Sequence, residues 1–142
     1  MRSAIMRVRF VIVGLLAALA VSCASSEVKL AGPAMTGDEI RKLIVGNTLQ
    51  GPIGAQLYDW YYKPDGTMIG VAGADDDGDG TWLIRDSNVF CQTWTQYFDG
   101  EQLCYELYRL EERGKYLLRN VDADRSSNIE VWKVRTGNPF HM

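Results

Sequence analysis

The sequence predicts a mainly β domain: one short N-terminal helix, then an antiparallel meander of about eight strands that forms a small barrel. The length of 142 residues, with 46% hydrophobic content, allows one modest core. A single helix-start signal occurs near residue 36, and after Gly46 aromatic and β-branched runs alternate with turn-forming clusters. The alternative is a two-sheet sandwich, but a closed barrel is favoured because it leaves no exposed strand edges.

The first 22 residues have the features of a secretory leader. Arg2, Arg7 and Arg9 precede an uncharged apolar run over residues 10–21, and small residues follow it. The alternative is a membrane-spanning helix, but twelve residues at about 1.5 Å each cover only about 18 Å of a ~30 Å hydrocarbon core. We therefore expect residues 1–22 to be a signal peptide of an exported protein.

Cys23 follows the leader in the stretch Ala-Val-Ser-Cys, which resembles the processing box of bacterial lipoproteins. In that box, small residues precede a cysteine that receives diacylglycerol and becomes the new N-terminus. Ordinary cleavage after Ser22 or Ala24 is the alternative. We expect lipidation at Cys23. The protein would then be periplasmic and would contact the membrane through its lipid anchor only. We also expect a tether over residues 23–34 and a folded domain over residues 35–142.

The expected exported chain is acidic. Its leader holds three of the 15 basic residues and none of the 18 acidic ones, which leaves 12 basic against 18 acidic residues, a net charge of −6. This balance argues against a nucleic-acid partner, because phosphate recognition requires clustered lysine and arginine. It also argues against electrostatic binding to anionic lipids.

The other two cysteines, Cys91 and Cys104, are predicted to form a disulfide. They lie in two strand-like runs, VFCQTW and QLCYELY, and the twelve residues between the two cysteines include turn formers. An exported chain also meets oxidising conditions. A redox-active pair would have C-x-x-C spacing, and a zinc site would need more ligands. A closed loop of about 14 residues contributes ~3 kcal/mol to stability in the chain-entropy model.

A capping box marks the start of the helix. Thr36 supplies the N-cap and Glu39 the returning acceptor, and acidic residues lie near the positive end of the helix dipole. Apolar residues at helical spacing follow, and Gly46 suits the left-handed residue that ends a helix. The pattern predicts a short amphipathic helix over residues 37–45, which must pack its apolar face on the rest of the domain.

The remaining chain is predicted to form strands separated by explicit turns. Lys63-Pro64-Asp65-Gly66 fits a tight turn in which proline presets the backbone angle, and polar clusters at 86–88 and 112–114 serve the same purpose. The predicted strands cover residues 48–51, 56–63, 67–72, 81–85, 89–94, 103–110, 115–121 and 129–135.

Together, the stretches MTGDEIRKLIVGNTLQG, YYKPDGTMIG, GTW, VFCQTW and CYELYRL resemble a family of short exported bacterial proteins without an established activity. The resemblance covers most of the chain from Met35 onward. It implies a fold and export but supplies no catalytic residue. Lipocalin-like barrels also carry a Gly-x-Trp motif, but on their first strand, whereas Gly80-Thr81-Trp82 lies in the middle of this domain.

The stretch ADDDGDGTW is a candidate calcium loop. Asp75, Asp77 and Asp79 alternate, Gly80 takes the sixth position and Asp86 the twelfth, as in an EF-hand. However, the flanking residues are predicted to be strands, and the twelfth position lacks the usual bidentate glutamate. The alternative is a solvated hairpin turn in which Asp and Gly serve turn formation alone. Calcium is the one candidate cofactor.

Candidate catalytic groups are few. The single histidine, His141, is next to the last residue, where no neighbour is expected to hold it for triad or zinc chemistry. A carboxylate pair such as Asp59 with Glu106 would suit glycoside hydrolysis, but such pairs arise by chance in β proteins. We therefore expect a protein that is not an enzyme.

Aromatic residues indicate binding instead. Most should fill the barrel, but residues 56–62 carry apolar or aromatic side chains on both faces, and the loop TWTQYFDGEQ is too long for a tight hairpin. One face of that strand and the aromatic loop are candidate contact surfaces, with a loop folded back on the barrel mouth as an equal alternative. The predicted binding residues are Trp60, Tyr62, Trp94, Tyr97 and Phe98.

The expected function is that of a non-enzymatic binding domain of the bacterial cell envelope, whose partner is an envelope protein or polymer. One alternative is a calycin-like barrel that encloses a small apolar ligand, because eight strands leave room for one if side chains do not fill the interior. Another alternative, inhibition of an envelope hydrolase, rests only on analogy with other small lipoprotein barrels.

Overall fold

The computed structural model describes residues 27–73, 76–122 and 128–142, so the predicted leader and Cys23 lie outside the described residues. This part of the chain forms one α-helix and nine strands. The helix, α1, spans Gly37–Ile44. The strands are β1 Asn47–Ile53, β2 Gln56–Tyr62, β3 Thr67–Ala72, β4 Asp76–Arg85, β5 Val89–Trp94, β6 Gln102–Arg109, β7 Tyr116–Asn120, β8 Ile129–Val131 and β9 Lys133–Thr136.

All nine strands belong to one antiparallel sheet, in the order β8-β7-β6-β5-β4-β3-β2-β1-β9. The sheet curls until its ends meet. The Trp132 amide, between β8 and β9, donates to the Gln50 carbonyl at 2.8 Å, and the Tyr58 hydroxyl donates to the Glu130 carbonyl at 2.7 Å. The result is a nearly closed barrel with one short helix before it, which confirms the predicted fold class over the two-sheet alternative.

Helix α1 packs against one end of the barrel, which we call the helix end. Thr36 Oγ1 accepts from the Glu39 amide at 3.4 Å and the Glu39 carboxylate accepts from the Thr36 amide at 2.8 Å, so the predicted capping box is present. Both helix isoleucines are fully buried in the core. The Gly37 amide donates to the Ser87 carbonyl in the β4–β5 turn. The β1–β2 and β3–β4 turns and the β5–β6 loop lie at the opposite end, the far end.

The N-terminal segment also lies at the helix end. Residues 29–31 fall within the predicted tether and pair with residues 109–111, at the end of β6. Backbone hydrogen bonds of 2.9 and 3.0 Å join the two segments. The described chain therefore enters the barrel at the helix end.

Two predicted strands differ substantially from the observed ones, whereas the ends of the others agree within two residues. β4 begins at Asp76 rather than at residue 81, so most of the acidic stretch is strand rather than loop. The predicted strand 129–135 is divided at Trp132 into β8 and β9, which pair with β7 and β1 respectively. The division lets one short length of chain complete both edges of the curled sheet.

Side chains fill the barrel interior. The rings of Tyr58 and Trp60 stack with centroids 4.0 Å apart, and Trp94 lies 5.1 Å from Trp60. Gly70 faces these rings, and a Cβ there would overlap the Trp60 indole. Because close packing leaves little space for a guest, it weighs against a barrel that encloses a small apolar ligand. The largest fully buried side chains are Trp60, Trp94, Tyr58, Tyr62, Tyr105, Phe90, Met35, Ile40, Ile44, Leu49, Met68 and Leu107.

Alkaline pH is expected to unfold the protein, because three buried tyrosines resist ionisation. Burial raises the pKa of Tyr105 to about 12 and also raises the pKa of Tyr58 and Tyr62 well above the ordinary value. An unfolded tyrosine has a pKa of about 10. Below that pH both states keep their protons. Above it the unfolded state loses them first, so the free energy of unfolding falls by about 1.4 kcal/mol per pH unit for each tyrosine.

Circular dichroism and tyrosinate absorbance, followed together against pH, measure this effect. The absorbance of the buried tyrosines should rise only as the sheet signal disappears. Tyr105→Phe should shift the alkaline midpoint upward, because one ionising group is removed. Ionisation of all seven tyrosines near pH ~10 with the sheet signal intact would contradict the expectation.

Candidate functional site

The predicted disulfide is present, on the outward face of the sheet. Cys91 of β5 and Cys104 of β6 lie directly opposite in register, with Cα atoms 4.0 Å apart, and both are buried. Their neighbours Phe90 and Tyr105 also pair, and their side chains point into the core. The cross-link therefore joins the two strands that carry the aromatic loop.

Three of the predicted binding residues belong to the core instead. Trp60 and Tyr62 point inward from β2 and Trp94 points inward from β5, and each is at most 1% exposed. The prediction of a contact surface is therefore wrong for these three. Alternation places Leu57 on the outward face of β2, where it is 49% exposed. The Tyr62 hydroxyl is satisfied internally, donating to the Gln92 side-chain oxygen at 2.9 Å.

The other two predicted residues, Tyr97 and Phe98, line a groove at the far end of the barrel, which we call the mouth groove. Both are half-buried and pack on the core. The groove has a volume of about 440 Å³. Its other walls are the end of β1, the start of β2 and the end of β3, together with Gln96. The loop thus folds back on the mouth and still presents aromatic surface.

The aromatic loop is braced by the barrel. Tyr97 packs edge-on against Trp94 with centroids 5.5 Å apart, and it fills the space over Gly78, where a Cβ would overlap its ring. The Gln96 side chain accepts from the Asp79 amide at 2.9 Å and donates to the Asp79 carboxylate. These contacts, with the disulfide at the base of the loop, hold the groove in a preformed shape.

The side chains that line the mouth groove in the described chain are uncharged. They comprise two aromatic rings, two aliphatic side chains and two glutamine amides, beside one glycine. Aromatic rings stack on apolar or sugar faces, and an amide both donates and accepts hydrogen bonds. The groove therefore suits an uncharged segment, such as peptide backbone or saccharide.

The aspartates predicted to bind calcium are not brought together as a set. Asp77 and Asp79 point outward from β4, and the glycines after each of them face the interior. Asp86 follows the other end of the same strand, about 20 Å from Asp79 at about 3.3 Å per residue. Asp75 lies outside the described residues. Within the ranges that the structure describes, no three His, Cys, Asp or Glu residues cluster around a metal position, so the four-aspartate set is wrong.

The carboxylate pair considered for catalysis is also separated. Asp59 on β2 accepts from the Gln50 amide at 2.9 Å, whereas Glu106 on β6 accepts from Arg119 at 2.7 Å. Four strand spacings of about 4.8 Å lie between β2 and β6, so the two groups do not face one substrate. Hydrogen bonds from Arg119 and Tyr108 hold the pKa of Glu106 below its usual range.

A second groove, at the helix end, was not predicted. Its volume is about 400 Å³, and its lining includes Trp132, which is 47% exposed. We call it the tryptophan groove. The alternation Ile129, Glu130, Val131 places Trp132 on the same outward face as Glu130, a signal that could have identified it.

Comparisons with protein-family models, with curated proteins and with solved structures find no match to this chain. In the described ranges, the structure has no helix long and apolar enough to cross a bilayer. The resemblance to short exported bacterial proteins stays a prediction.

Proposed function

We propose that the protein is an exported, lipid-anchored binding domain of the bacterial cell envelope, that it is not an enzyme, and that it holds its partner in the mouth groove. The observation that carries the proposal is the braced aromatic loop, whose Tyr97 and Phe98 line an uncharged groove of about 440 Å³. A loop already held in shape loses little freedom when a partner binds, which favours affinity.

The proposed partner is an envelope protein or polymer that presents an uncharged segment. A charged segment would lose hydration in this groove, and none of the described residues that line it supplies a counter-charge. Gln96 is already engaged by Asp79. We therefore expect the exposed Gln56 amide to form the hydrogen bonds to the partner.

Export and anchoring rest on the sequence, on the arginine-led apolar leader and on Cys23. The described chain enters the barrel at the helix end, and the mouth groove opens at the far end. An anchor at Cys23 would therefore hold the mouth groove away from the lipid surface, where an envelope component can reach it.

Photo-crosslinking in intact envelopes tests the proposal. A photoreactive aromatic residue replaces Phe98 in the mouth groove or, as the matched control, Phe140, which is 44% exposed outside it. The expected result is an adduct with a discrete envelope component at position 98, in several-fold higher yield than at position 140. The adduct's composition distinguishes protein from polymer. Equal yields at both positions would refute the mouth groove as the binding site.

A charge placed in the mouth groove should reduce binding. Gln56→Glu is expected to lower the crosslink yield at position 98 about tenfold, because a carboxylate that the bound partner buries without an opposite charge costs on the order of 1–3 kcal/mol. Gln102→Glu makes the same charge change on an exposed residue of β6 outside the groove and should leave the yield unchanged. Equal losses in both variants would indicate a general charge effect and contradict the prediction.

A further inference from the structure

The tryptophan groove combines an exposed aromatic ring with an excess of carboxylates. Of the four tryptophans, Trp132 alone presents its ring to solvent, since the other three are at most 7% exposed. Four glutamates and two lysines line the groove, so its net charge is negative. These residues are Glu27, Glu111, Glu112, Glu130, Lys29 and Lys115.

An ammonium group already occupies part of this groove. Lys115 Nζ lies 5.5 Å from the centroid of the Trp132 ring and 2.8 Å from the Glu112 carboxylate. The indole N–H of Trp132 donates to Glu130 Oε2 at 2.8 Å, which fixes the orientation of the ring. A ring face beside carboxylates is the environment that binds alkylammonium and guanidinium groups. Lys115 shows on the molecule itself that the groove accepts such a group.

We propose that the tryptophan groove is a second binding site, distinct from the mouth groove, which receives a lysine or arginine side chain from a basic segment of a partner protein. Charge complementarity selects this occupant. Once Lys115 has paired with Glu112, the remaining glutamates outnumber Lys29, and an entering cation is attracted. The partner's cation displaces Lys115 from the ring face, so Lys115 is an internal competitor.

Binding of fluorescently labelled octalysine to the purified exported protein, measured by anisotropy at low salt, tests this proposal. We expect saturable binding that Trp132→Ala and Glu130→Gln each weaken several-fold. The matched controls are Asp77→Asn and Asp99→Asn, which make the same charge change as Glu130→Gln on exposed residues outside the groove. These controls should keep the affinity within twofold of wild type.

The direction in which one further substitution changes the affinity for octalysine distinguishes a binding role of the tryptophan groove from a structural role. Lys115→Ala removes the competitor and should tighten octalysine binding several-fold, whereas Lys42→Ala, an equal charge change on the exposed face of α1, should have less effect. Loss of the Lys115–Glu112 pair as a merely structural contact would not increase affinity. Melting curves show whether each variant is folded. If Trp132→Ala does not fold, Glu130→Gln is the variant that tests the proposal.

Two outcomes would overturn the proposal. Equal weakening by the groove and control carboxylate variants would mean attraction to net charge alone. Trp132-dependent binding of chitotetraose, with octalysine binding unaffected by Glu130→Gln, would identify the ring as a platform for neutral saccharides instead.

Discussion

Trp60→Ala is expected to lower the free energy of unfolding by about 3–5 kcal/mol, since it removes a fully packed core indole and leaves a cavity. The Trp60 ring is 1% exposed, stacks on Tyr58 at 4.0 Å and contacts Trp94 at 5.1 Å. Gly70 lies against its ring with no side chain to refill the space. Urea denaturation followed by circular dichroism measures the change.

Leu57→Ala is the matched control on the same strand. Leu57 points outward and is 49% exposed, so its truncation should change the free energy of unfolding by no more than about 0.5 kcal/mol. A Trp60→Ala variant as stable as Leu57→Ala would mean that the interior is not a close-packed core. It would also restore the calycin-like alternative, in which the barrel encloses a small ligand.

Loss of the disulfide should cost about 3 kcal/mol of unfolding free energy. Cys91 and Cys104 are separated by 13 positions, and opening a loop of this size increases the freedom of the unfolded chain by about that amount in the chain-entropy model. Because both sulfurs lie on the outward face, Cys91→Ala with Cys104→Ala leaves the barrel interior filled. The double variant should therefore keep the sheet spectrum and melt at lower urea.

Reduction provides the control for the disulfide prediction. Wild-type protein treated with dithiothreitol should match the untreated double variant, and the double variant itself should not respond to the reagent. Free thiols mapped to Cys91 and Cys104 in untreated wild type would contradict the prediction. Identical urea midpoints for wild type and the double variant would also contradict it.

The local signals in the sequence predicted most of the fold. Thr36 and Glu39 form the capping box that their spacing predicts, and the Pro-Asp-Gly turn does join β2 to β3. These features are short-range, so their physical causes are contained in a few neighbouring residues. Strand faces are different, because whether a face is inward depends on closure of the whole sheet. The sequence pattern alone therefore predicts Trp60 and Tyr62 on a contact surface, whereas closure places them inside.

In the acidic stretch, the two-residue alternation of Asp and Gly reflects a β-strand and not a calcium loop. Asp77, Gly78, Asp79 and Gly80 alternate, which resembles the spacing of calcium ligands but is also the period of a strand. In β4 the carboxylates of Asp77 and Asp79 point to solvent, and the glycine after each of them points inward. Gly78 leaves room for the Tyr97 ring, a contact that no local pattern predicts. The requirement for glycine arises from the loop after β5, nearly twenty residues away.

The candidate sites were predicted in part. Tyr97 and Phe98 were found from loop length and aromatic content, which are properties of the sequence alone. The tryptophan groove was missed because it needs three separate segments, the N-terminal stretch, the β6–β7 turn and the β8–β9 junction, to meet at the helix end. The sequence identifies Trp132 itself, but not the residues that lie beside it in the folded groove.

The position at which the described chain enters the barrel would set how far each groove lies from a lipid on Cys23. Only four positions separate Cys23 from Glu27, at most about 14 Å of extended chain, so a lipid on Cys23 would keep the tryptophan groove close to the headgroups. β6 has eight residues, and a strand of that length in a tilted barrel rises about 20 Å. The mouth groove would then lie about 20 Å farther from the bilayer than the tryptophan groove. Two partners at different distances from the membrane could therefore bind at the same time without colliding.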